Sequence, residues 1–205
     1  YAMNNSVLHS AISVGVVCPD EHNQKFAQFI SGLNRQSQAK HNTDYLISFP
    51  GFYQDFKTGL DLPDPTSSKW KQITASSERD VHKAAVEFGD SIIRKIDQLS
   101  ANSIDVILIY IPEEYEVFTS YTDGTINYDL HDYIKAYAAQ KQVATQFVRE
   151  KTIESDLHCQ IMWALSLALY VKSGRTPWVV NGIQPDTAFA GIGYSVMNGP
   201  SGSNV

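Results

Sequence analysis

The sequence predicts an α/β protein built on a Rossmann-like parallel sheet flanked by helices, and three observations carry that prediction. Apolar runs rich in Val and Ile alternate along the chain with segments whose apolar residues recur every three or four positions. One run, IDVILIYIP from Ile104 to Pro112, is apolar almost without a break, which suits a parallel strand covered on both faces. The chain has 205 residues, 43% of them hydrophobic, enough for one packed core or one core and a fragment. Strand and helix in strict alternation favour a doubly wound sheet over a bundle or a sandwich.

The elements follow in order. Residues 1–10 read as a lead-in, and SAISVGVVCP as the first buried strand. Asp20 is placed to cap the next helix, whose apolar stripe is Phe26, Phe29, Ile30 and Leu33. DYLISFPGF reads as a second strand, stopped by Pro50-Gly51. Residues 51–70 carry Pro63 and Pro65 and read as a long ordered loop packed by its aromatics. Ser76-Ser77-Glu78 opens a helix with Val81, Ala84, Ala85, Phe88, Ile92, Ile93 and Ile96 on one stripe. After IDVILIYIP and a turn at Asp123-Gly124 come a helix over 129–143, a strand over 144–148, a helix over 156–173 and a strand at WVV. A new unit begins after Pro185 with the strand TAFAGIGYSV, and NGPSGSNV closes no element.

Composition narrows the function. The net charge of −6 argues against a surface that coats nucleic acid. Its distribution is uneven: residues 1–130 hold ten Lys/Arg and seventeen Asp/Glu (10 − 17 = −7), and residues 131–205 hold six and five (6 − 5 = +1). A nucleic-acid site is therefore expected as a local pocket in the second half. The longest apolar run, Ile161 to Val171, is too short to span a bilayer, and no signal-like start is present. Cys18 and Cys159 read as two buried thiols of a reducing compartment, so a cytoplasmic protein is expected. Neither GxGxxG nor GxxxxGK[ST] follows a strand. His22, His41, His82 and His158 are scattered, and Glu113, Glu114 and Glu116 read as a solvated loop, so no catalytic or metal-ligand set is expected within this chain.

The candidate site lies between His131 and Lys172. His131 and Lys135 are four apart, hence on one helical face a turn from each other. Gln146 falls in the strand ATQFV, and Lys172 in the last turn of the long apolar helix. Two ammonium groups, an amide and an imidazole are what a phosphate group requires: positive charge and directed donors. Singly, each has an ordinary reading: Lys135 as a solvated helix lysine, Lys172 as a complement to the helix dipole before a Gly174 cap. Gln146 alone could satisfy a loop, and His131 could sit on the surface. Together, in this order, they read as a pocket for a terminal nucleic-acid phosphate.

The segments HDYIK, ATQFV and LALYVKSGRTPW together resemble the MID domain of prokaryotic argonautes, whose pocket begins Tyr-x-x-x-Lys or, in one subgroup, His-x-x-x-Lys. The Lys-Ser-Gly-Arg-Thr-Pro-Trp ending is similar to the family's Lys-x-Gly-Gly-x-Pro-Trp, and VGVVCP, GFYQDF and VILIYIPEE fall where family strands and loops do. The resemblance implies a lead-in over 1–10, a MID domain over 11–181 and the truncated start of an RNase H-like PIWI domain over 182–205. It implies that His131, Lys135, Gln146 and Lys172 hold the 5′-phosphate of a guide strand, with Mg²⁺ bridging that phosphate. It makes Tyr133 and Tyr137 candidates for stacking on the first base. TAFAGIGYSV resembles the first PIWI strand, where slicing members carry Gly-x-Asp; here the run is Gly191-Ile192-Gly193, and a glycine cannot hold a catalytic metal. The resemblance is thus to a short, non-slicing argonaute: a small guide, RNA more than DNA, a single-stranded DNA target, and a partner joining an APAZ region to a TIR, Sir2 or nuclease effector. Two other classes stay open: a Rossmann-like domain for a small phosphorylated metabolite or nucleotide, and a protein-interaction scaffold.

Overall fold

In the computed structural model the described residues are 11–40, 46–74, 76, 78–124 and 126–178, with 182, 184, 186, 187, 190, 191, 197–199 and 202–204 beyond them. The Val/Ile-rich run forms β1 (Ile12–Pro19), and the most apolar run forms β4 (Val106–Ile111), all six residues of which are buried. β1 pairs parallel with β4 on one side; on the other it pairs parallel with two short pieces, β2 (Leu60–Asp61) and β3 (Trp70–Ile73). β4 pairs parallel in turn with β7 (Ala144–Arg149), Val106 facing Ala144 and Ile111 facing Arg149. The sheet order β2-β1-β4-β7 leaves β7 at an edge among the described residues.

Side chains alternate across a strand, so each buried strand feeds two cores. Val14, Val16, Leu108, Tyr110 and Val148 join α1 (Asn23–Ser31) and α6 (His158–Lys172), whose Phe26, Ile30, Met162 and Leu169 point inward. Val17, Ile107 and Ile109 join α3 (Val81–Ser100) and α4 (Leu130–Gln140) through Phe88, Ile92, Ile96 and Ile134. Helices on both faces of a parallel sheet are the expected architecture. No helix among the described residues is long and apolar enough to cross a membrane.

Several local expectations are corrected. Residues 51–70 are not a loop throughout: α2 (Phe52–Phe56), β2 and the start of β3 lie there. The expected strand DYLISFPGF joins no sheet in its described part; Phe49 makes one isolated bridge to Ser37, and its buried ring packs edge-on against Trp163. Asp20 starts a 3-10 turn and binds the Asn23 side chain instead of capping α1. α3 opens five residues later than its Ser76 signal, because Asp80 accepts from the backbone N–H of His82 and Lys83. Between β4 and α4 an antiparallel hairpin forms from β5 (Ser120–Asp123) and β6 (Ile126–Asp129). After β7 comes the single turn α5 (Glu150–Ile153). NGPSGSNV does hold an element: β8 (Met197–Gly199) pairs with β9 (Gly202–Asn204). The expected strands WVV and TAFAGIGYSV, with Gly193, lie mostly or wholly outside the described residues.

The hairpin docks on α3 at Gly89. A Cβ there meets the Tyr128 hydroxyl at 2.5 Å and the Tyr133 ring at 3.0 Å, and the same hydroxyl donates to the Ala85 carbonyl. Gly89→Ala is expected to lower stability by about 1–3 kcal/mol, the usual cost of overpacking. Urea melts of the two chains measure it, and a variant as stable as wild type contradicts the close approach.

Candidate functional site

Three elements converge at the open edge of the sheet. α4 starts at Asp129, whose side chain accepts from the Asp132 backbone N–H, and this cap fixes His131 in the first turn and Lys135 one turn on. The helix stops in a left-handed turn: Gln142 has φ 56°, and the Val143 N–H returns to the Ala138 carbonyl. That turn sends β7 back alongside α4 and brings Thr145 beneath Lys135. From the other face, α6 delivers Lys172 as its last residue.

The meeting point is a backbone carbonyl. Lys135 Nζ donates to Thr145 O at 2.5 Å, and Lys172 Nζ donates to the same oxygen at 2.7 Å. Lys172 Nζ also donates to Gln146 Oε1 at 2.6 Å, while Gln146 Nε2 donates to the Phe147 carbonyl at 2.8 Å. Lys135, Gln146 and Lys172 are therefore brought together in one part-buried cluster. Two ammonium groups carry six N–H donors, of which these bonds use three (6 − 3 = 3). A carbonyl carries only partial negative charge, so the cluster keeps an excess of positive charge. Burial, and next the Lys135 charge beside it, push the Lys172 ammonium down from the ordinary 10.5 to about 8. A dianion placed here would relieve both effects.

His131 stands at the margin. Its ring lies 5.3 Å from the Phe147 ring, and its Nδ1 is 3.3 Å from Asp132 Oδ1. Half of its side chain is exposed, and Phe147 links it to the lysine cluster. Tyr133 and Tyr137 lie two residues either side of Lys135, which on a helix is the far side. Tyr133 donates to Asp90 at 2.7 Å and Tyr137 to Asp97 at 2.6 Å, both on α3. The structure thus does not bring either tyrosine to the lysines, and Phe147 is the aromatic next to them.

Sequence reasoning did not find the Thr145 carbonyl or the role of Phe147. It gave Gln146 as a donor; here its Nε2 donates to the Phe147 carbonyl and its oxygen accepts from Lys172. Among the described residues, two groups of side chains bring three potential ligand atoms within 4.8 Å of one another: Asp129, His131 and Asp132 at the start of α4, and Glu21, His22 and Glu114 at the ends of β1 and β4. The first includes His131, whose ring lies beside Phe147. Away from both, a cavity of about 750 Å³ lies between α2 and the outer face of α6, lined by Ile47, Phe56, Trp163, Leu167, Tyr170 and Trp178.

No family model matches the chain, and no curated protein matches it. Among solved structures it is similar to a crystal structure of Aa-Ago with externally bound siRNA, at 12% identity and a TM-score of 0.52, over 82% of this chain and 19% of that one. A structure of the Aquifex aeolicus argonaute is also similar, at 13% identity and a TM-score of 0.48, over 82% of this chain and 19% of that one. The chain therefore has an argonaute-like α/β fold and spans about a fifth of the length of the argonaute structures it matches.

Proposed function

We propose that this chain binds the 5′-phosphate of a guide strand, as the MID portion of a short, non-slicing prokaryotic argonaute. The observation that carries the reading is the convergence of Lys135 and Lys172 on one carbonyl oxygen, 2.5 and 2.7 Å away, with Gln146 orienting the second. A phosphate oxygen takes the place of that carbonyl as the shared acceptor, with full in place of partial charge, which makes the exchange favourable. His131 closes the pocket from the first turn of α4, and the His131–Phe147 ring pair supplies the aromatic surface for the first base. Asp129 and Asp132 at the start of α4 would hold a Mg²⁺ beside the phosphate, where the ion would offset part of its negative charge. Phosphate contacts position a strand without reading it, so binding depends on the 5′-phosphate and little on base identity.

In this reading the guide is RNA, the target is single-stranded DNA recognised by pairing, and the response to invading DNA comes from an APAZ-containing partner with a TIR, Sir2 or nuclease effector. Gly193 in place of the first PIWI aspartate is the sequence feature that favours a non-slicing protein, and Cys18 and Cys159 as free, buried thiols are what favours the cytoplasm.

The test is competition against a labelled, 5′-phosphorylated short strand in Mg²⁺. An unlabelled 5′-phosphorylated strand is expected to displace it, whereas the same strand with a 5′-hydroxyl, or a nucleoside monophosphate, displaces it poorly. Equal displacement by phosphorylated and hydroxyl strands removes the pocket assignment. Full displacement by the mononucleotide moves the protein to the small-metabolite class.

A further inference from the structure

α6 is apolar on both of its sides. Met162, Leu165 and Leu169 face the core, and the outer positions Trp163, Ala164, Leu167, Ala168 and Val171 carry no charge. A helix that is apolar all round is one that is covered all round. On the outer side the described residues give a partial cover, in which Phe56 of α2, Ile47 and Trp178 stand around the cavity of about 750 Å³. Cavities of about 300–1,000 Å³ are those that hold small organic ligands.

An apolar face by itself names no occupant; the charge and the rings of this cavity do. Four aromatic residues line it, Phe56, Trp163, Tyr170 and Trp178, together with one ionised side chain, Asp55. Neither lysine nor arginine lines it. Lys57, the nearest to Asp55 in sequence, donates to the Gln54 carbonyl at 2.6 Å, and Lys172 turns to Thr145 on the inner side. The Asp55 carboxylate makes no hydrogen bond or ion pair among the described residues. Aromatic faces are themselves partly negative. Rings and carboxylate together therefore favour a cation and oppose an anion such as the guide strand.

Most of these rings are held in place in advance. Trp163 Nε1 donates to the Ile47 carbonyl at 3.1 Å, and its ring stands edge-on to the buried Phe49 at 5.2 Å. Tyr170 is stacked on Phe56 at 4.5 Å, and the buried Phe52 backs Phe56 at 4.8 Å. Only Trp178, 69% exposed, is left to be ordered by a ligand, and a site built before binding loses little entropy on binding.

We propose that this cavity binds a small organic cation whose charge lies on an apolar body, a quaternary or aryl-substituted ammonium, with Trp163, Tyr170 and Trp178 around it and Asp55 opposite its charge. An inorganic ion does not suit the lining. Ca²⁺ takes six to eight oxygen ligands, and the side-chain oxygens here are those of Asp55, Gln160 and Tyr170. A cation with spread charge sheds its water at low cost and is attracted to ring faces. The cavity lies on the opposite side of α6 from the lysine cluster, and its loss leaves the phosphate reading untouched.

The experiment titrates the full chain by calorimetry with benzyltrimethylammonium. Neopentylbenzene, which has the same shape without the charge, and benzenesulfonate, which has the opposite charge, are the comparisons. Saturable binding of one equivalent of the cation is expected, with both comparisons weaker by about tenfold or more, since several rings act on the charge at once. Trp178→Ala removes an exposed ring and is expected to weaken the cation by about two- to fivefold. Asp55→Asn, exposed and nearly isosteric, is expected to do the same and to leave neopentylbenzene unchanged. A change in tryptophan fluorescence is expected with the cation, because Trp163 and Trp178 line the cavity, while Trp70 is buried and bonded to Asn23. Cation and neopentylbenzene binding equally well overturns the assignment and makes the cavity a plain apolar docking face. No binding of the cation, or binding that Asp55→Asn and Trp178→Ala both leave intact, overturns it as well.

Discussion

Lys172→Ala is expected to weaken binding of a 5′-phosphorylated strand by about 10–150-fold and to leave binding of the 5′-hydroxyl strand unchanged. The range is that of one hydrogen bond to a charged group, about 1.5–3 kcal/mol. Lys135→Ala is expected to cost a similar amount. The double variant is expected to lose less than the sum of the two. In the free chain both ammonium groups crowd the Thr145 carbonyl, and a bound phosphate relieves that crowding. Either single substitution already removes the repulsion, so its relief can be lost only once, and the two sites are close enough to couple. Titration of all four chains with both strands measures the coupling. Full additivity, or an equal loss on the hydroxyl strand, contradicts a shared phosphate between the two lysines.

The sheet was legible because its central strands are buried on both faces, which writes them into the sequence as the Val/Ile runs of β1 and β4. The edge was not. β2 and β3 are two and four residues long, and β3 reads Trp-Lys-Gln-Ile, too short and too polar to announce a strand. Leu46–Phe49 shows the reverse error, since its apolar residues look like a strand but Phe49 is buried against a helix. Ser76 looked like the cap of α3, yet Asp80 is adjacent to the first apolar residue and reaches two backbone N–H groups.

In the candidate site the convergence of Lys135, Gln146 and Lys172 was legible from spacing and order. What spacing cannot carry is the acceptor between them, because a backbone carbonyl has no letter of its own. Spacing does speak against Tyr133 and Tyr137 as stacking partners: the i ± 2 relation to Lys135 puts them on the opposite face, and Asp90 and Asp97 on α3 hold them there. His22 and Glu114 are 92 positions apart, and only the parallel pairing of β1 with β4 joins them.

Lys172→Met is expected to remove phosphate-dependent binding while raising stability at pH 7 by about 1 kcal/mol, at the low end of what replacing buried charge by apolar volume yields. The low end applies because Lys172 is only part-buried and solvent screens part of the cost. The sign follows from the proton balance. Folding lowers the Lys172 ammonium from 10.5 to about 8, so the unfolded chain binds more protons between those values. Wild-type stability is therefore expected to gain from this residue as pH rises from about 8 to 10.5, and that gain is absent in Lys172→Met. Binding runs the other way. The phosphate needs the charged ammonium, and the phosphate itself stays a dianion above its second pKa of about 6. Affinity for the 5′-phosphorylated strand is expected to fall as pH rises through about 8, while the hydroxyl strand shows no such step. Urea melts of both chains at neutral and alkaline pH, with strand titrations under the same conditions, test both halves. Parallel stability profiles for the two chains contradict the part-buried ammonium; a flat affinity profile for the phosphorylated strand contradicts its contact with phosphate. Opposed slopes would mean that Lys172 is a poor choice for a stable helix end and a good one for holding a dianion.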